Sequence, residues 1–396
     1  MEEWKEYKLE DTSIEMIDGD RGKNYPKNND FLSDGYCLFL NAGNVTKDGF
    51  SFSDKSFITQ EKDDELRKGR LEKYDVVITT RGTVGNVALY DNKVPFEHIR
   101  INSGMLILKS GKDILSEYLY YYLKGKKFQS QISLFVSGSA QPQLPKSTLG
   151  KMSISYPNNK DTQNKIVSIL KSLDDKIEVN RKINENLEQQ AQALFKSWLK
   201  KCEDEVTIGD LSLNITDYTK CEQKQVVLIN SSDVTEGRFE HHNLSENKNL
   251  KGHFKKRFQK GDILYSQVRP RNRHWGYCTF NADNYLASTQ LMVIRNRPDV
   301  ISSILLYQYI IENKVWMDFT LRTETRSGTF PQGNYEDLSA IKVPFGADVK
   351  EITNNLENIY SLIYKNEDES RRLAELRDTL LPKLMSGELK VGDVLL

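Results

Sequence analysis

Between residues 173 and 198 the chain places Leu173, Ile177, Asn180, Asn184, Leu187, Ala191, Leu194 and Trp198 at alternating steps of four and three. An unbroken 4-3 alternation marks the seam of a helix that packs along another helix. Two asparagines sit in the middle of this seam. A seam asparagine is comfortable only opposite another polar group, so it fixes register at a cost in stability. The spacing predicts a helix over about 161–201 with one specific partner. Adding 186 to each position gives Ile359, Ile363, Asn366, Ser370, Leu373, Arg377, Leu380 and Leu384. The rhythm repeats, with polar residues at the same two central places, so a partner helix is expected over 349–386. Two unrelated amphipathic helices, each packing on its own domain, form the competing reading.

Outside these helices the pattern shortens. The runs VVITT, NVALY and GMLILKS, and later ILYSQV, GYCTF and LMVIRN, are separated by Gly, Asn and Asp turns and read as strands. Short helices are expected at 116–129 and 304–316. The two halves rhyme at a nearly constant offset. YDVVITTRG answers GDILYSQVRP with 187 residues between Asp75 and Asp262, and NVTKDGF answers DVTEGRF with 188 between Gly49 and Gly237. SGSAQPQLPKSTLGKMSISYP at 137–157 answers SGTFPQGNYEDLSAIKVPF at 327–345, and WKEYKLED at 4–11 answers EVTIGDLS at 205–212. One tandem duplication of a unit near 190 residues accounts for this. The expected fold is α+β: a β-rich head over 1–158, a helix over 159–202, a second head over 203–347, and a closing helix and tail over 348–396.

Composition narrows the class. A 396-residue chain with 38% hydrophobic and 28% charged residues suits a soluble protein with long exposed helices. Formal net charge is zero, so any nucleic-acid contact must come from local basic patches. The four cysteines show no metal-finger spacing and read as reduced thiols of a cytoplasmic protein. MEEWKEYKLED is no signal peptide, and ISSILLYQYII is too short to span a bilayer.

Catalytic motifs are missing. GTVG at 82–85 lacks the spacing of a dinucleotide loop, and no GxxxxGK[ST] or N/D-P-P-Y/F segment occurs. Glu222-Gln223-Lys224 and Glu388-Leu389-Lys390 fit E-x-K, which chance supplies. His241, His242 and His253 lack ligand spacing on a helix and read as surface loop. A non-catalytic chain without cofactor or metal is expected.

Two divergent heads, each followed by a long helix, with a KYDVVITTRG or KGDILYSQVRP strand and an SGSAQPQLP-type loop, resemble the specificity subunit of type I restriction–modification systems. The central helix TQNKIVSILKSLDDKIEVNRKINENLEQQAQALFKSWL and the closing RRLAELRDTLLPKLMSGEL are similar to that family's helices. The resemblance implies that the helices pair antiparallel and space the heads along DNA, and that each head reads half of a bipartite target. It also implies partners: double-stranded DNA, two methyltransferase subunits and restriction/translocase subunits, with no membrane. Asn180, Asn184, Asn366 and Ser370 would set the register. In an antiparallel pair Asn180 would lie nearest Ser370, and Asn184 nearest Asn366.

Candidate DNA contacts follow from side-chain chemistry. In QVRPRNRHWGY, Arg269, Arg271, Arg273 and His274 crowd one loop, and arginine forks suit guanine edges or phosphates. A solvated basic turn whose arginines pair with local carboxylates is the competing reading. TTRGTVGN offers Arg81 and Thr83 at the comparable place in the first head. LRTETRSGTFPQGN supplies Arg322, Arg326 and Thr329; its counterpart supplies Ser137, Ser139, Gln141, Gln143 and Lys146. Those segments suit phosphates or adenine edges, or a structural loop closing each head onto its helix. Arg21, Lys23 and Lys27 suit sequence-independent phosphate contact, or a disordered basic loop. A coiled-coil scaffold with protein-binding heads, and a specificity subunit of a methyltransferase-only or combined nuclease–methyltransferase system, remain alternatives.

Overall fold

The computed structural model describes residues 4–135, 142–250, 252–325, 331–346 and 348–393. The chain forms two compact units, one of Met1–Glu178 with Glu369–Leu396 and the other of Val179–Asp368. These boundaries differ from the expected 159–202 and 348–396, which treated the helices as separate pieces. The reason is burial. Each head's core takes apolar residues from both long helices, so each helix is shared rather than free-standing.

In the first unit, strand Val76–Thr79 lies between Met105–Lys109 and Val87–Leu89, and Glu15–Asp18 pairs with the outer side of Met105–Lys109. All these pairings are antiparallel. Successive side chains of a strand point to opposite faces, and both faces here are apolar. Val76 and Ile78 face a cluster built from the helices Ser116–Lys124 and Lys126–Phe135, with Ile166, Leu170 and Leu384 of the long helices. Val77 faces the other way, toward Leu38, Leu40, Ile99 and Ile101 of a smaller three-stranded sheet. That two-sided burial is why the strand reads as a continuous hydrophobic run rather than an alternation.

The second unit repeats the plan. Ile263–Ser266 lies between Leu291–Asn296 and Trp275–Tyr277, with Ser212–Asn214 at the edge. Ile263 and Tyr265 face the helices Ser303–Ile311 and Asn313–Glu324, together with Phe195, Trp198, Leu356 and Tyr360, while Leu264 faces a second sheet. Each single helix expected near 116–129 and 304–316 is two helices, broken at Gly125 and Glu312 respectively. The paired entry strands agree in register: Trp4 lies opposite Pro157, and Glu205 opposite Pro344.

The long helices run Lys160–Leu199 and Val349–Ser386, each on the order of 60 Å. Pro382 falls in the last turn of the second, and Gly387 follows with φ of +74°. A Cβ at Gly387 would also lie 2.3 Å from Trp4 Nε1, so this helix end demands glycine twice over. Among the described residues, no helix is long and apolar enough to cross a membrane.

Within each unit the two helices run antiparallel. In the first, Arg377 Nη1 donates to Asp174 at 2.7 Å, and Lys176 stands 3.3 Å from Glu369. In the second, Asn366 Nδ2 donates to Asn184 Oδ1 at 2.8 Å, and Asn184 Nδ2 donates to the Ile363 carbonyl at 3.1 Å. Asn180 Nδ2 donates to the main-chain carbonyl of Asn366 at 3.4 Å. The amide layer is thus centred on Asn366, which both asparagines of the first helix address. Asn184 is nearly fully buried, so removing its acceptor leaves polar atoms stranded.

Replacing Asn184 alone by Leu is expected to destabilise the second unit by about 1–3 kcal/mol. The double variant Asn184→Leu/Asn366→Leu should recover most of that loss. Chemical denaturation of the four proteins of this cycle measures the coupling; additive losses would contradict the amide pairing.

Candidate nucleic-acid interface

In the first head the end of the central strand meets a distant segment. Arg81 and Gln143 form an isolated antiparallel bridge, and Leu144 N donates to the Thr80 carbonyl at 3.0 Å. Thr80 N reaches the Gly104 carbonyl at 2.7 Å. The turn beyond is closed by Gly85 N donating to the Thr79 carbonyl at 2.9 Å, and Gly82 and Gly85 carry its positive φ. This crossing opens a cavity of about 610 Å³ lined by Asp18, Arg21, Arg81, Gln143, Lys146 and Ser147 among others. Three cationic candidates drawn from three separated stretches therefore converge on one concavity.

Arg21 is placed there by its neighbour. Asp20 turns inward and accepts from Gly22 N at 2.7 Å, Arg67 N at 2.8 Å and the Arg67 guanidinium at 3.3 Å. Burial works to raise the Asp20 carboxyl, yet these hydrogen bonds and the Arg67 charge hold it far below its ordinary range. With Asp20 anchored inward, Arg21 faces out, 3.3 Å from Asp18 and 3.2 Å from the Ser103 carbonyl. The segment is pinned at this point rather than loose. Lys23 and Lys27 are exposed on the same stretch but do not line the cavity, and Thr83 is exposed at the tip of the strand turn. Lys146 opens the short helix Lys146–Gly150.

The second head repeats the crossing. Val268 bridges Gln332, Gly333 N donates to the Gln267 carbonyl at 2.8 Å, and Arg269 N donates to the Pro331 carbonyl at 3.0 Å. Beyond it the basic loop is wound tightly. Arg269 and Arg273 flank a single 3-10 turn, Pro270–Asn272, and both hold left-handed backbone, φ +50° and +53°. Such angles are uncommon for non-glycine residues and persist where surroundings over-determine them. Here the surroundings are Pro331, the Glu236 amide donating to the Arg273 carbonyl, and the indole of Trp316 donating to the Pro270 carbonyl at 2.9 Å.

The arginines differ in their company. Arg271 forks onto both carboxylate oxygens of Glu324, whose carboxyl it holds below the ordinary value. Arg273 lies over the Trp316 ring, 4.2 Å from its centroid, with Glu236 at 3.5 Å. Pairing with local carboxylates, the competing reading of this loop, is thus present for both. It does not bury them: the side chains of Arg271 and Arg273 remain 73% and 39% exposed. His274 turns away, its Nδ1 3.0 Å from the Val234 carbonyl. Arg322 is exposed on the helix Asn313–Glu324. Ser137, Ser139, Gln141, Arg326 and Thr329 lie outside the described residues. His242 lies in an exposed loop, as expected, with its Nδ1 2.6 Å from the Tyr285 hydroxyl beside the rings of Phe280 and Tyr285.

Comparison with known proteins points to one family. Residues 1–189 match the type I restriction modification DNA specificity domain. The HindI specificity subunit of Haemophilus influenzae is 37% identical over 142 residues, which are 35% of this chain and 30% of that protein. The MjaIX specificity subunit of Methanocaldococcus jannaschii is 24% identical over 357 residues, 81% of this chain and 79% of that one. The first 189 residues thus carry the type I DNA specificity domain, and the chain is similar to type I specificity subunits. A crystal structure of a type I S subunit from M. genitalium shares the fold, with a TM-score of 0.54 and 17% identity over 97% of this chain and 96% of that one. A specificity subunit is the recognition component of its system, not a catalytic one.

Sequence reasoning missed several members of the two crossings. Asp18, Thr80 and Ser147 line the cavity, and Glu236, Glu324 and Trp316 order the basic loop. Glu324 lay within a flagged segment, but its role as a brace has no sequence signature.

The crossings rest on strands that each start at a buried aspartate. Burial pushes the Asp75 carboxyl up to about 6 from its ordinary value of 3.8, against the opposing pull of the Glu72 amide and Lys109. A raised carboxyl means the folded state holds the proton where the unfolded state has lost it. Stability of the first head should therefore fall as pH rises from about 4 to about 6, by on the order of 2 kcal/mol, and level off above. Hydrogen exchange at Val76–Ile78, corrected for intrinsic rates, measures this. The Asp75→Asn variant should lack the slope, and an identical slope in both proteins would contradict the assignment.

Proposed function

We propose that this chain is a specificity subunit that reads a bipartite DNA target, one half with each head, and presents it to two methyltransferase subunits for adenine N6 methylation. With restriction/translocase subunits added, the same recognition directs cleavage. On this reading the protein works in the cytoplasm, where host DNA is accessible, and carries no cofactor of its own. The observation that carries the reading is the repeated crossing of strand end and returning loop, at Arg81–Gln143 and Val268–Gln332, with exposed cations gathered beside it in each head. Arginine forks, glutamine amides and a carboxylate are the groups that distinguish base edges, while lysine supplies phosphate contact.

Supporting the same reading, the rims of the two crossings differ while their frames agree. Arg21, Arg81 and Lys146 dominate the first, and Arg271 and Arg273 dominate the second. Two heads that read different half-sites need that combination. The coiled-coil scaffold without DNA binding gives no account of the converging cations. Assembly with a methyltransferase alone, without a motor, changes the partners and leaves this recognition unchanged.

Salt titration of DNA binding tests the proposal. The logarithm of affinity should fall steeply with the logarithm of salt concentration. Arg21→Ala, Arg81→Ala or Lys146→Ala should each flatten the slope by about 0.9 where the lost contact is a phosphate. Where the contact is a base edge, the loss should be roughly 1–3 kcal/mol and confined to one half-site sequence. Replacing Arg269, Arg271 and Arg273 together should weaken only the half-site of the second head. Affinity indifferent to salt and to all six substitutions would favour the scaffold.

A further inference from the structure

Beside the basic loop of the second head runs an apolar strip with no structural task in its own domain. On the helix Asn313–Glu324, Val315, Phe319, Thr320 and Thr323 are buried, and Trp316 and Glu324 brace the loop. Met317 and Leu321 point elsewhere, 61% and 63% exposed. Helical geometry makes them neighbours one turn apart, and puts Leu321 one turn from Glu324, the residue that grips Arg271. The strip therefore lies along the same face as Arg271 and continues the surface on which Arg273 rests over Trp316.

The duplicated head supplies an independent comparison. There Phe128 and Ile132 of the helix Lys126–Phe135 are buried where Val315 and Phe319 are buried in the second head. The same offset brings Leu321 onto Leu134, which is 82% exposed. An outward leucine persists at this place in both heads, while its neighbours change: Ser130 replaces Met317, and Phe135 replaces Arg322. Helix stability does not require leucine there, because several polar residues form helix equally well.

We propose that Met317 and Leu321 are specificity-determining residues that pack against a thymine C5-methyl group in the major groove of the second half-site. The methyl is the one apolar feature that distinguishes a base pair in that groove. The adjoining arginines commit the surface to an anionic partner, and Arg271 and Arg273 would flank the strip with phosphate or guanine contacts. This inference rests on the DNA-binding reading above and assigns to it a class of base pair.

The test uses the full chain and duplexes carrying the target defined by N6-methyladenine sequencing of the host. Each thymine of the second half-site, on either strand, is replaced in turn by deoxyuridine, which removes only the methyl. One replacement should weaken wild-type binding roughly three- to fivefold. The Met317→Ala/Leu321→Ala variant should bind the thymine duplex less tightly by at least that factor and no longer distinguish thymine from uracil at that position. Wild-type indifference to every replacement, or a half-site with no A·T pair, overturns the proposal. So does a variant that binds DNA normally but no longer co-purifies with methyltransferase subunits, which would make the strip a protein contact. Arg273→Ala, measured in parallel, separates the two levels. If it loses no affinity, the DNA-facing assignment of this head fails; if it loses affinity while the strip is silent, only the strip's role fails.

Discussion

A buried aspartate pins the central strand of each head, and the reading site depends on where that strand then ends. Asp75 accepts from the Glu72 amide and Asp262 from the Gln259 amide, each at 2.8 Å, closing a turn immediately before the strand. In both heads the aspartate's own amide returns to the same residue's carbonyl. The strand is buried on both faces, so it has no freedom to slide by one residue without exchanging its two apolar sets. Its far end is consequently a fixed point, and there the returning segment bridges at Gln143 or Gln332. A loop anchored in this way can vary its outward side chains without losing its place.

The two heads solve the burial of that carboxylate differently. Asp262 is gripped by both nitrogens of the Arg295 fork, at 2.6 and 2.7 Å. At the matching place in the first head stands Lys109, which pairs with Glu72 at 2.7 Å, so Asp75 keeps the turn amide and a nearby charge but no fork. A charge buried without a close partner favours its neutral form. Divergence after duplication thus reached a side chain beneath the strand as well as the rim, while the strand order of its sheet and the bridges stayed the same.

Much of the plan was legible in the sequence because it rests on periodicity. The 4-3 seams gave the long helices nearly to the residue, and the offset near 187 gave the duplicated strands. Both members of each bridge lay in segments named for their chemistry, but that they meet is given by the fold and not by the offset. What could not be read was the sharing of each helix between cores, because a seam pattern reports that a face is buried and not against what. Nor does a seam pattern show that the Asn180 amide donates to the main-chain carbonyl of Asn366, since a helix carbonyl competes with side chains for an amide. The brace from Glu324 to Arg271 joins residues 53 positions apart, a distance at which composition carries no information. Basic residues were easy to name as candidates; which of them share a concavity was a property of the fold.

The central claim is that each head meets DNA at its own strand–loop crossing. Hydrogen exchange of the full chain, with and without a duplex carrying its target, tests this most directly. The account predicts slowed exchange at 79–85 and 143–147 in the first head and at 266–275 and 313–324 in the second, with little change in the buried strands. Protection confined to the long helices, or present in one head only, would contradict it.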